Sequence, residues 1–160
     1  MPLKLNLQDY ASAAEIIGAV AVVISLVYVG LSIRQNTEAI QVSNHHALVA
    51  MDMEKNTWLR ESEFAAIYVT AREEPEKLSK VQMQQYSTFV ADTLNAWEFA
   101  YITHSNGAMD ETIWNGWDGF YRSELSSGSF RRFWLDGGEN FSPKFRAYVN
   151  SIVKEHDDGA

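Results

Sequence analysis

Two histidines stand side by side at His45 and His46, and an imidazole pair is the first place to look for a metal site or a proton relay. On a helix, neighbouring side chains point about 100° apart, so these two rings cannot hold one ion together. A zinc-hydrolase pair needs i, i+4 spacing, and a carboxylate-bridged di-iron bundle needs Glu-x-x-His; the sequence has neither. Glu38 precedes His45 by seven residues, on its face but two turns away. The pair reads as polar residues of an exposed or interfacial face. His156-Asp157 sits in a polar tail and carries no chemistry alone.

Glu98 is the acid with most to offer. It stands between Trp97 and Phe99, with Leu94 and Tyr101 on its own face. A carboxylate in that setting needs a partner or a shifted pKa. Arg131 and Arg132 are natural partners, as are the indole N–H groups of Trp114 and Trp117, and Asp92 and Asn95 could extend a polar strip. The chemistry on offer is general acid–base catalysis or a polar ligand anchor. The simpler expectation is a Glu–Arg bridge that locks a short helix to its neighbours. The aromatics Trp114, Trp117, Phe133 and Trp134 admit two readings in the same way. They line an apolar pocket, or they form the core of short helices that lack aliphatic faces, with some area left for a partner.

Much other chemistry is excluded. No cysteine is present, which removes disulfides, thiolate-bound metals and thiol catalysis. There is no G-x-S-x-G, no P-loop and no dinucleotide glycine pattern. The formal net charge is -8, and residues 1–34 contain two bases and two acids, so the excess lies in residues 35–160. Such a surface repels phosphate and argues against a nucleic-acid partner. The expectation is a non-enzymatic protein without metal or cofactor.

The elements that position these residues begin with an apolar run. Ile16 to Ile33 reads IIGAVAVVISLVYVGLSI, eighteen residues without a charge. With Ala11 to Ala14 it gives roughly 20 residues, enough to cross a bilayer core of about 30 Å. A buried core helix would show more polar positions, and a cleaved signal peptide would have a basic start and a shorter apolar stretch. No imidazole lies in the run for a haem or pigment. Lys4 before it and Arg34 behind it nearly balance, leaning towards a cytoplasmic soluble part. Ala14, Gly18, Ala21, Ser25 and Ser32 fall on one stripe in steps of 4, 3, 4 and 7, interrupted by Tyr28. Small residues so spaced let helix backbones approach closely in lipid, so the stripe is a candidate helix–helix seam.

No proline occurs between Pro2 and Pro75, and apolar positions continue near a 3.6 period at Ile40, Leu48, Met51 and Leu59. One helix is expected from about residue 7 to about 59, roughly 75 Å long, with Asn6 as N-cap and Asp9 in its first turn. Ser62 is read as the cap of a short helix to about Arg72. Ser79 with Gln82 forms a capping box, and that helix stops at Asn106-Gly107. Asp110 caps the next, Ser126 to Ser129 is a turn, and Gly137-Gly138 ends an aromatic helix. Ser142-Pro143 opens the last helix, which frays from Glu155. The fold class is all-α. Its parts are residues 1–34 with the transmembrane helix, 35–155 as a helical soluble domain, and 156–160 as a frayed tail.

The apolar run ending in SIRQNT, the WEFAY segment at 97–101, RRFW at 131–134 and FSPKFRAYV at 141–149 resemble an uncharacterised family of small bacterial single-pass membrane proteins. The resemblance covers nearly the whole chain. It implies this topology in a bacterial inner membrane, and no activity or catalytic residues. Two functions follow as expectations. The first is a membrane-anchored helical module that assembles through its span with itself or with another integral membrane subunit. The second is a sensor domain that binds a small apolar ligand in an aromatic pocket near Glu98.

Overall fold

A computed structural model describes residues 7–158; Asn6, the expected first N-cap, lies outside them, as does the side chain of Asp9. The described residues form six α-helices and two 3-10 turns, with no strand among them. The helices are α1 (Leu7–Arg60), α2 (Ser62–Glu73), α3 (Lys80–Ser105), α4 (Glu111–Leu125), α5 (Gly128–Gly137) and α6 (Pro143–Asp158). The all-α class holds, and α1 has nearly the expected bounds. The chain divides into two units, Met1–Ala39 and Ile40–Ala160.

In the first unit α1 carries an uncovered apolar surface. Every Val, Ile, Leu and Tyr side chain from Ile16 to Ile33 is at least half exposed. The helix is long and apolar enough to cross a membrane.

In the second unit the remainder of α1 joins α2 to α6 around one core. Helix α3 is central and packs against α2, α4, α5 and α6. Leu48 of α1, Ile67 of α2, Val90, Leu94 and Trp97 of α3, Tyr121 and Leu125 of α4, Phe130 of α5, and Phe145, Val149 and Ile152 of α6 are all essentially solvent-free. The α1 segment is held at one end by two amides, Gln41 Nε2 donating to Gly107 O (3.2 Å) and Asn44 Nδ2 donating to Ala108 O (2.9 Å). At its other end Trp58 packs edge-on against Phe64.

Most ends follow local capping chemistry. The Ser79–Gln82 capping box is present in both directions. Asp110 accepts from the N–H groups of Thr112 and Ile113. Gly107 takes φ +72°, the left-handed conformation that glycine adopts without steric cost at a helix stop. Three expectations are corrected. Ser62 is the first residue of α2, and Glu61 holds the cap position without a side-chain bond. The α4–α5 turn is only Ser126 and Ser127, because α5 begins at Gly128. Helix α6 continues through Glu155 to Asp158, with Asp157 paired to Arg131.

Candidate functional site

The small-residue stripe comes first. Ala14, Gly18, Ala21 and Ser25 are exposed and Ser32 is half-buried. A methyl group added at Gly18 would meet nothing within 4 Å. Ser25 turns its hydroxyl back to donate to Ala21 O (2.8 Å), which satisfies it on its own helix and leaves the stripe smooth. Counting on from Ser32 in steps of three and four reaches Gln35, Ala39, Val42, His46, Val49 and Met53. Of these, Val42 is 54% and Met53 58% exposed. The core-facing positions of the same segment are others, Leu48 and Lys55 among them.

Glu98 does not meet an arginine. Its Oε1 accepts the backbone N–H of Ser142 (2.7 Å), immediately before Pro143 opens α6. Ser142 O in turn accepts from Arg146 N–H (2.9 Å), the first bond of that helix. A glutamate three residues into α6 would ordinarily serve this N–H, but Phe145 stands there and is fully buried. Glu98 supplies the acceptor from α3 instead. Arg131 pairs with Asp157, Arg132 lies exposed on another helix face, and neither Trp114 nor Trp117 donates to Glu98. The expected Glu98–Arg131 or Glu98–Arg132 bridge is therefore replaced by a helix cap.

The buried carboxylate of the core is Asp118. It is 8% exposed and accepts three bonds: Trp97 Nε1–H (3.0 Å) and Tyr148 O–H (2.5 Å) at Oδ1, and Arg122 Nε–H (2.6 Å) at Oδ2. Arg122 also donates to Tyr148 Oη (2.9 Å). Burial, then the bond to Asp118, pushes the Tyr148 hydroxyl well above its ordinary pKa. The network joins α3, α4 and α6, and Arg122 extends from it to Glu155 (3.9 Å). Sequence reasoning missed Asp118, although Trp114, Asp118, Tyr121 and Leu125 fall at steps of 4, 3 and 4. That spacing sets an acid in an apolar stripe.

A second buried charge, Lys55, sits 3.4 Å from Asp52 with its ammonium over the Tyr121 ring. Burial lowers its pKa, and Asp52 offsets this in part. Asp92 and Asn95 line a recess of about 290 Å³ with Lys55 and Trp58, apart from Glu98. His45 and His46 hold their ring centroids 6.4 Å apart, and among the described residues no group of three metal-ligating side chains forms.

Compared with protein-family models, curated proteins and solved structures, the chain matches none.

The aromatic residues divide. Trp114 and Trp134 are buried. Trp114 stacks on His104 with centroids 4.7 Å apart, and Trp134 Nε1–H donates to Asn150 (2.9 Å). Trp134 also edges a polar recess of about 300 Å³ beside Arg146, whose buried Nε has no partner. Trp117 stacks on Tyr121. Only Phe133 of the four reaches the larger opening, a groove of about 650 Å³ between α2, α3 and α5. Its walls include Ala71, Pro75, Met83, Tyr86 and Phe133, and Arg72, Ser87, Arg132 and Asp136 supply polar groups. Glu98, near which a pocket was expected, is not in the lining of this groove.

Proposed function

We propose that the protein is a membrane-anchored helical module that assembles through α1, with copies of itself or as an accessory subunit of a larger membrane complex. One observation carries the reading. Twelve apolar side chains from Ile16 to Ile33 are covered by nothing in the chain. Even at half exposure such side chains forgo roughly 1 kcal/mol each in water, and that sum rivals the whole stability of a domain, about 5–15 kcal/mol. A bilayer relieves that cost. Within a bilayer, apolar burial no longer drives helices together, and small residues that allow close backbone approach do. Ala14, Gly18, Ala21, Ser25 and Ser32 supply such a face. In the Ile40–Ala160 unit, by itself, Val42 and Met53 of α1 are exposed apolar residues where contact in water is favourable. The bacterial inner membrane, with the Ile40–Ala160 unit in the cytoplasm, completes the proposal, in keeping with the family the sequence resembles.

The test is native-mass analysis of the tagged chain, extracted gently from its own membranes. A homomeric or heteromeric particle larger than one chain is expected. A lone monomer overturns the reading.

A second reading, ligand binding by the Ile40–Ala160 unit, is favoured by the groove between α2, α3 and α5.

A further inference from the structure

Helices α2, α3 and α5 diverge to leave the groove of about 650 Å³, within the range of roughly 300–1,000 Å³ over which proteins hold small molecules. Its floor and walls are apolar: Ala71 from α2, Met83 and Tyr86 from α3, Phe133 from α5. Tyr86 cannot serve as a free polar contact, because its hydroxyl is bonded to Ser129 (2.8 Å). Burial raises its pKa, so it presents a neutral ring.

The charges at the groove differ in how they are spent. Arg72 is fixed: Nη1 donates to Glu124 Oε2 (2.9 Å) and to Tyr68 Oη (2.7 Å). Its charge is thereby neutralised by Glu124. Arg132 makes no ion pair among the described residues, nor does Asp136 one turn further along α5. Both are exposed to solvent. A guanidinium with unused donors beside an apolar trough suits a carboxylate or a phosphate group, whose two free oxygens it binds in a bidentate fork. The Ser87 hydroxyl lies in the same lining as a further donor.

We infer that the groove binds an anionic amphiphile, one apolar chain lying along Met83, Tyr86 and Phe133 with its anionic head at Arg132. Asp136 opposes the anion and limits the affinity. The inference rests on the ligand-binding reading above and is independent of assembly through the span. The head group can come from a free fatty acid or from an anionic lipid of the bilayer, since both present a singly charged head with two free oxygens on an apolar chain.

The test uses the full chain in zwitterionic phosphatidylcholine nanodiscs with its methionine methyl groups labelled with carbon-13. Met83 lines the groove, whereas Met109 is buried elsewhere at 3% exposure, so the two report site and background. Laurate is titrated against dodecan-1-ol, and phosphatidylglycerol is added to the discs in a separate arm. Laurate is expected to shift the Met83 signal and leave Met109 in place. Arg132→Gln should weaken laurate binding about tenfold and leave dodecan-1-ol unchanged, and Asp136→Asn should tighten laurate about two- to threefold. A Met83 shift with phosphatidylglycerol alone assigns the bilayer as source and supports the inference equally. Equal binding of laurate and dodecan-1-ol, indifferent to Arg132→Gln, overturns the anionic class while the ligand-binding reading stands. No Met83 shift with any of the three probes overturns both.

Discussion

Glu98 of α3 accepts the backbone N–H of Ser142 at 2.7 Å, at the point where α6 begins. The bond lets one carboxylate do for a distant helix what a residue inside that helix ordinarily does, and it ties the two elements at a defined register. It also removes Glu98 from the set of free acids. An acid that serves as a structural acceptor at a helix start is favoured by the partial positive charge there.

Replacing Glu98 should therefore change stability. Glu98→Ala is expected to cost about 1 kcal/mol, the usual worth of a helix cap. Glu98→Gln, which retains the Oε1 acceptor, should cost clearly less. Urea unfolding of both variants, followed by circular dichroism, measures the difference. Combining Glu98→Ala with Arg131→Ala should give additive losses, because Arg131 bonds Asp157 and not Glu98.

The Asp118 network should respond more strongly. Asp118→Ala strands the buried indole N–H of Trp97, while Arg122, 38% exposed, regains water, and a loss of about 1–3 kcal/mol is expected. A double-mutant cycle with Tyr148→Phe should be non-additive by about 1 kcal/mol or more, since the Tyr148 O–H donates to the same carboxylate. Additive losses would mean that the two groups act separately.

Alkaline pH should unfold the Ile40–Ala160 unit through its tyrosines. Burial, with Glu124 beside it, pushes Tyr68 up to about 12 from an ordinary 10.0. Burial raises Tyr86, Tyr121 and Tyr148 as well. A folded pKa above the unfolded one gives stability that is fully present below pH 10 and lost as pH rises through the folded value. Phenolate absorbance should lag behind free tyrosine and then rise together with the loss of helix. Lys55 has the opposite sign of shift: its charged form is disfavoured by folding, and this cost is relieved as pH rises from the folded pKa towards 10.5. Lys55→Met should accordingly raise Tm at neutral pH, an increase that shrinks as the pH approaches 10.5.

The local features were readable in the chain. The charge-free run and the absence of proline from Pro2 to Pro75 define α1. Ser79 with Gln82, Asp110 and Asn106-Gly107 define their helix ends, because each cap is made within a few residues of itself. Partners across the fold were not readable. Nothing near Glu98 in sequence names Ser142, and Arg131 finds Asp157 only because α6 persists to Asp158. Asp118 was readable in principle, from its place on the stripe of Trp114, Tyr121 and Leu125. The groove was not, since it depends on how far α2, α3 and α5 diverge, and spacing within one helix says nothing of that.

Assembly through the span should be sensitive to bulk on the small-residue face. Gly18→Leu with Ser25→Leu is expected to lower particle mass while the Ile40–Ala160 unit keeps its helix content and Tm. Leucine adds no hydrophobic advantage in lipid and blocks close backbone approach. Particle size unchanged in detergent extracts would remove this face from the interface.

The most direct test of assembly between copies exploits the absence of cysteine. Single cysteines at Ser25, in the small-residue stripe of the span, and at Val42 and Met53, exposed in the Ile40–Ala160 unit, sample the proposed contacts of each unit. Ile40 and Met51 are also exposed apolar residues of α1, but they lie two positions from Val42 and Met53 respectively and so point about 160° away from those two neighbours. Mild oxidation in native membranes should link Ser25→Cys, Val42→Cys and Met53→Cys into a species of twice the chain mass, and leave Ile40→Cys and Met51→Cys as single chains. Equal linking at all five positions, or linking at none, would contradict a seam between copies along this face.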